Sequence, residues 1–360
     1  MINNPSPVSR RGALALAASL LTMLVTPASA QTSPVVAFPF YSGEQALQGL
    51  YQHHLPPLAR AFEAEAQTLS AEARRFCARP GERADLQAAW RRALLSWQAL
   101  SSPALGPVIE HRSQRQIDFW PPRPPLLKKA LARKPQTLAD MERVGTPAKG
   151  FPTMETMLAG EHRADHCPYL VLVADGITAE ATALRRDFDE MAARDWTTDE
   201  DAARAAFAEW INQWLGGLER LRWMHIEQPV QRARTAGDDR APAFARQAMA
   251  DNTAEWRAQW QALRAQARLK PEQVSQPPQP GQGLIPIEAL LMGKGHIALA
   301  RRWGQALDAA DAAVGQLSAT PSPDELMALS KTLKGVTTLY QAEVAAALDV
   351  PLGFSDADGD

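Results

Sequence analysis

Apolar residues in this chain recur at three- and four-residue steps almost without interruption. Leu86, Trp90, Leu94, Trp97 and Leu100 form one such set, and Leu170, Val173, Ile177, Ala181, Leu184, Phe188 and Met191 another. Phe207, Ile211, Trp214, Leu218 and Leu221 continue the habit, as do Met249, Thr253, Trp256, Trp260 and Leu263. Leu326, Leu329, Leu333, Val336, Tyr340 and Val344 close the series. That spacing puts each set on one face of a helix, and an apolar face has to be buried against another. Period-two runs of β-branched residues are almost absent. Tyr169 to Val173 could pass for a buried strand, but it sits inside a longer helical stripe. The expected fold class is all-α.

Breakers place the joints. Pro80-Gly81 separates a helix near 44–79 from one near 83–102, and Pro121 to Pro125 marks a rigid loop. The proline-rich stretch from Lys270 to Gly283 cannot be helical throughout. Thr197-Thr198-Asp199 offers an N-cap with acids in the following turn, and Thr235-Ala236-Gly237-Asp238 reads as a turn. The chain also echoes itself. Gly150-Phe-Pro-Thr-Met-Glu155-Thr-Met-Leu-Ala-Gly160 aligns without gaps on Gly283-Leu-Ile-Pro-Ile-Glu288-Ala-Leu-Leu-Met-Gly293, and Trp97-Gln-Ala-Leu100 on Trp260-Gln-Ala-Leu263. Two helical bundles related by internal duplication are the expectation, an N-terminal one over 31–195 and a C-terminal one over 196–348, followed by a tail over 349–360.

The first thirty residues read as an address. Arg10-Arg11 supplies a positive start, Gly12 to Val25 an apolar run too short for a comfortable membrane span, and Ala28-Ser29-Ala30 a small-residue cleavage site. A secretory signal peptide over 1–30 is expected, with an uncleaved anchor as the alternative. Ser9-Arg10-Arg11 leaves twin-arginine export beside the general route. No Cys follows the run and no other stretch looks long enough to span, so the expected product is a periplasmic protein without a transmembrane segment. Residues 1–30 hold two of the 38 basic residues and none of the 40 acidic ones, so the remainder carries 36 against 40. That balance gives no ground for a nucleic-acid partner. Cys77 and Cys167 are the only cysteines, and in an exported chain a disulfide between them is favoured over two free thiols.

Familiar catalytic motifs are missing: there is no His-Glu-x-x-His, Gly-x-Ser-x-Gly, Cys-x-x-Cys, phosphate loop or dinucleotide fingerprint. Glu161-His162-Arg-Ala-Asp165-His166-Cys167 holds the densest set of potential ligands. His162 and His166, with Glu155, are candidates for a transition metal, weighed against a plain hydrophilic connector between Gly160 and Pro168. Glu155 and Glu288 each sit among apolar neighbours, and a buried carboxylate needs a donor, a counter-charge, a metal or a raised pKa. Arg112, Arg115, Asp118 and Trp120 precede the Pro-rich loop and could line a cleft, with arginine supplying a fork for an anionic ligand. The carboxylates after Gly353 alternate as in a calcium loop but lack its closing Glu.

Taken together, Ala89-Trp90…Trp97, Leu105-Gly106-Pro107, Ile117-Asp118-Phe119-Trp120-Pro121, Gly150 to Glu155, Cys167 with its helix and Gly353-Phe354…Asp358-Gly359-Asp360 resemble the imelysin-like family of bacterial periplasmic and envelope proteins. The resemblance covers nearly the whole exported chain. It implies two helical bundles from a duplication and an association with iron regulation and uptake. The family signature is Gly-x-His-x-x-Glu. Gly150 and Glu155 match it, but Pro152 stands at the histidine, so the family's His/Glu pair is not carried over intact. The resemblance implies an iron-associated periplasmic binding protein. With the residue-level reading, the expected function is non-enzymatic binding of a small ligand or a metal, iron or another transition metal, with Gly150, Glu155, Arg112, Asp118, Trp120 and Glu288 as candidate site residues. An envelope iron-uptake protein is the implied partner. A metal-dependent peptidase, after which the family is named, and a helical scaffold are the alternatives.

Overall fold

The computed structural model describes residues 36–79, 83–161, 164–236 and 241–353. The expectations for the first thirty residues, Pro80-Gly81, His162, Gly237-Asp238 and the tail from Phe354 onward fall outside the described residues. Among the described residues there are helices and no strand, as the periodicity requires.

Helix α1 runs through Gly43–Gln48, a π-helical turn at Gly49–His54, and Leu55–Ala78. Ser42 starts it with a reciprocal cap, its hydroxyl accepting from the Gln45 N–H and the Gln45 side chain accepting from the Ser42 N–H. Helix α2 is Arg83–Ser101, α3 is Gly150–Ala159 and α4 is Cys167–Ala192. Helix α5 comprises Glu200–Glu219, a second π-helical stretch at Arg220–Glu227, and Gln228–Thr235. Asp199 is its N-cap, accepting from the Ala202 N–H, with Glu200 and Asp201 in the first turn, as the sequence suggests. Helix α6 is Asn252–Ala267, α7 is Ile287–Gly293 and α8 is Ile297–Gln316. Helix α9 runs through Pro323–Leu339, Tyr340–Val344 and Ala345–Ala347.

Helix α1 packs on both α2 and α4, while α5, α6, α8 and α9 pack among themselves; α2 against α6 is the main helix pair that joins the two groups. One stripe starts later than its spacing predicts. Met249 lies ahead of α6, because the backbone turns through Ala250 at φ +56° and the helix begins only at Asn252. Helix α4 also differs from expectation, being long and apolar enough by composition to cross a membrane. Its stripe of Leu170, Val173, Ile177, Ala181, Leu184 and Phe188 is buried in the core, which accounts for that apolar character without a bilayer.

The tryptophans are mostly core, with Trp90, Trp97, Trp210, Trp214, Trp256, Trp260 and Trp303 fully or almost fully buried. Each buried indole N–H needs an acceptor, and several find one on another element. Trp90 donates to the Phe151 carbonyl at 3.2 Å, Trp214 to that of Leu263 at 2.9 Å and Trp210 to the Gln266 side chain at 2.7 Å. These bonds pin helix register, which apolar contact alone leaves loose.

Cys77 and Cys167 form the expected disulfide, with Cα atoms 5.6 Å apart across 90 residues. It ties the end of α1 to the start of α4. Closing a loop of that size contributes about 4 kcal/mol through the unfolded state.

Candidate functional site

Asp118 and Glu155 are brought together by a glycine. Asp118 ends the short helix Ser113–Ile117, and Glu155 lies in α3. Gly150 opens α3 at φ +67°, so close to the preceding segment that a Cβ there would fall 2.0 Å from the Ile117 carbonyl oxygen. Only a residue without a side chain lets α3 lie against Ile117-Asp118. Trp97 and Gln98 on α2 then hold the Asp118 carboxylate, donating to Oδ2 at 3.1 and 3.0 Å.

Between these carboxylates stands a residue the sequence does not single out. Arg246, in the irregular segment between α5 and α6, is 2% exposed. It pairs very closely with Asp118 through Nη2. It donates to Glu255 Oε1 from Nε at 3.0 Å and from Nη2 at 2.8 Å. Its Nη1 lies 4.0 Å from Glu155 Oε2 and has no hydrogen-bond partner among the described residues. Arg91 pairs with Asp251 at 2.5 Å, fixing the start of α6. The network continues through amides. Gln98 donates to Glu255 Oε1 at 2.8 Å, Gln259 donates to Gln98 Oε1 at 2.9 Å, and His225 Nδ1 lies 3.0 Å from Gln259 Oε1.

Three carboxylates therefore share one guanidinium. Burial raises Glu155 to about 7; Arg246 and the amide N–H groups of Met249 and Ala248 offset only part of that. Glu255 is pushed up as well, by burial and the nearby Asp118 charge, against the pull of Arg246. Burial by itself would lower Arg246, but the fields of Asp118, Glu255 and Glu155 outweigh it and keep the guanidinium charged. Burial holds His225 down at about 4, so its ring is neutral at pH 7. Glu155 ionises at a higher pH in the folded chain than in the unfolded one. Its favourable contribution is complete below its ordinary pKa of 4.5 and is lost as pH rises through about 7. The buried His54 and His225, both held near 4, drive the profile of the whole protein the other way. The readout is therefore a difference: Glu155→Gln should gain stability relative to wild type between pH 5 and pH 8, by roughly 1–3 kcal/mol. Urea unfolding at the two pH values measures it, and an equal difference at both would exclude a proton on Glu155.

The cluster does not have the form of a metal site. Asp118, Glu155 and Glu255 face Arg246, so a positive charge already stands where a cation would sit. Among the described residues no group of three His, Cys, Asp or Glu is placed to hold a metal. His166 is partly buried at the start of α4, lining a small pocket with Arg83, Glu161 and Cys167, and Glu155 is not among the residues that line it.

Beside the cluster opens a cleft of about 820 Å3, reached by Gln98 and Asp118 from one side and by α5 from the other. The π-helical stretch of α5 supplies Arg220, Trp223, Met224 and His225 to its wall. Trp120 lines it and is 41% exposed, the outlier among the tryptophans. Arg112 is exposed at φ +55° and is not among the lining residues; Arg115 is. Glu288 belongs elsewhere. It pairs with Arg268 at 2.5 Å and accepts the Leu269 N–H at 2.9 Å. The two echoed glutamates thus share a pattern, backbone amide donors and one arginine each, at separate places.

Glu255 and Gln259 have a faint signal in the sequence. Glu255, Gln259 and Gln266 recur at helical spacing and are all buried, a polar face beside the tryptophan stripe of α6. Arg246 has none, because its segment is aperiodic.

Fold and site together define an all-α protein with an open cleft beside a buried carboxylate cluster closed by an arginine. The chain belongs to the imelysin family, whose profile matches residues 54–350. Among solved structures it is similar to an imelysin-like protein from Psychrobacter arcticum, with a TM-score of 0.68 at 18% identity over 89% of this chain and 100% of that one. It is also similar to a protein from Parabacteroides distasonis assigned as an iron-regulated protein A precursor, with a TM-score of 0.67 at 14% identity over 87% and 98%. No protein of curated function matches it.

Proposed function

We propose that this protein is an exported, non-enzymatic binding component that captures a small ligand in the cleft beside the Arg246 cluster and serves iron acquisition. The cleft itself carries the reading. Its polar floor, Asp118, Gln98 and His225, is already held by Arg246, Trp97 and Gln259, so a ligand meets a surface that needs little ordering. Export to the periplasm is supported by the first thirty residues and by the disulfide. The iron setting is supported by the name of the Parabacteroides neighbour. Because Arg246 occupies the centre of the carboxylates, iron is better accommodated as cargo within a larger ligand than as a bare ion. An envelope uptake protein would then receive the loaded form.

The test is native mass spectrometry of the protein after exposure to an extract of an iron-starved bacterial culture. Wild type should retain one added mass. Ala233→Trp, which fills the cleft from α5, should lose it. Absence of any retained mass, or equal retention by the variant, would overturn the reading. Chelator-sensitive cleavage of an unfolded polypeptide would replace it with the peptidase.

A further inference from the structure

Building on the cleft reading above, we infer that the cleft takes an organic anion bearing an aromatic ring, an aromatic carboxylate or catecholate, either free or as its negatively charged ferric chelate. Charge is the first ground. Arg115, Arg220 and Arg232 all line the cleft, and Asp118 is the one acid among the described lining residues. The Asp118 charge is already answered by Arg246, Gln98 and Trp97. Arg115 and Arg232 are exposed and have no ion pair or hydrogen bond from their side chains among the described residues. Most arginines elsewhere on this surface, such as Arg74, Arg204 and Arg302, pair with an acid. Two unpaired guanidinium forks at one cleft match a carboxylate or catecholate and repel a bare cation.

The aromatic ring is the second ground. Trp120 and Met224 are 41% and 43% exposed, unlike the buried core tryptophans, and the half-buried Trp223 stands with them in the lining. An inorganic anion would leave these indoles in water, whereas a stacked ring covers them. A volume of about 820 Å3 exceeds the need of a single benzoate and leaves room for a chelate of several rings.

Two probes separate the sources: 2,3-dihydroxybenzoate alone and its ferric complex, titrated by tryptophan fluorescence and calorimetry. Ferric citrate serves as the non-aromatic anion and benzyl alcohol as the neutral ring. Saturable binding of one or both aromatic anions is expected, with the tighter form identifying the ligand. Arg115→Gln and Arg232→Gln should each weaken it about tenfold, the worth of one charge-assisted hydrogen bond. Trp223→Leu should weaken it too, and Arg204→Gln, which removes an exposed arginine of α5 outside the lining, should not. The inference is overturned if neither aromatic anion saturates, if benzyl alcohol or ferric citrate binds as well, or if both arginine variants bind like wild type. Should the culture extract still deliver a retained mass in that event, the ligand class is wrong and the cleft stands. Should it deliver none, both fall.

Discussion

Replacing Arg246 with methionine should cost about 3–5 kcal/mol of stability, the usual penalty for stripping one partner from a buried ion cluster. Methionine keeps much of the side-chain volume, so the loss is electrostatic rather than a cavity effect. Asp118, Glu155 and Glu255 would be left buried without their shared counter-charge, and the close pairing with Asp118 would be gone. The loss should be larger at pH 8 than at pH 5, because protonating the two glutamates relieves the repulsion between them. Urea unfolding followed by far-ultraviolet circular dichroism at both pH values checks this. A loss under about 1 kcal/mol, in the range of an exposed ion pair, would show that the guanidinium is not what holds the cluster. The companion Arg246→Ala variant opens space among the same carboxylates. Mn2+ should raise its midpoint of thermal unfolding while leaving that of wild type in place; the reverse would restore a metal to the native site.

Gly150→Ala is the second substitution with a large expected effect. The added methyl would lie 2.0, 2.4 and 2.6 Å from the oxygen, carbonyl carbon and Cα of Ile117, all backbone atoms that cannot rotate away. The positive φ adds its own strain. Relief requires moving Ile117-Asp118 off α3, which pulls Asp118 from Arg246 and undoes the cluster. A loss of about 4 kcal/mol or more, or failure to accumulate folded protein, is expected. Gly176 provides the control: it lies inside α4, and a methyl added there would meet nothing within 4 Å. Gly176→Ala should therefore stabilise by up to about 1 kcal/mol. Equal effects at the two glycines would show that the Ile117 contact does not govern Gly150.

These two residues show how far the site could be read in advance. Gly150 and Glu155 were legible as a pair, because both recur in the internal echo and match the family signature, and a carboxylate in an apolar segment poses a visible problem of charge; the close approach at Gly150 was not. Asp118 and Trp120 were legible as neighbours of a proline-rich loop. Arg112 was not distinguishable from Arg115 by type or spacing; the tertiary structure puts Arg115, and not Arg112, in the lining of the cleft. Glu288 carries the same local pattern as Glu155, yet its arginine, Arg268, is partly exposed and also pairs with Asp308 at 2.9 Å, so no cluster forms there. The family name drew attention to metal ligands, while the geometry places an arginine at the centre.

The sequence by itself determined the helices, the disulfide, the joints and the family, because each rests on short-range order: apolar spacing, breakers, cysteine count and linear motif. A stripe at helical spacing needs no knowledge of its partner to be a stripe. What only the tertiary structure decided is the chemistry of the centre. Arg246 meets Asp118 across 128 residues and Gln98 meets Gln259 across 161, and no local pattern encodes which distant charge will answer a buried carboxylate. That choice is made when α2 packs on α6 and the segment before α6 turns inward, since burial makes each unpaired charge so costly that the partners must be found wherever the fold can bring them.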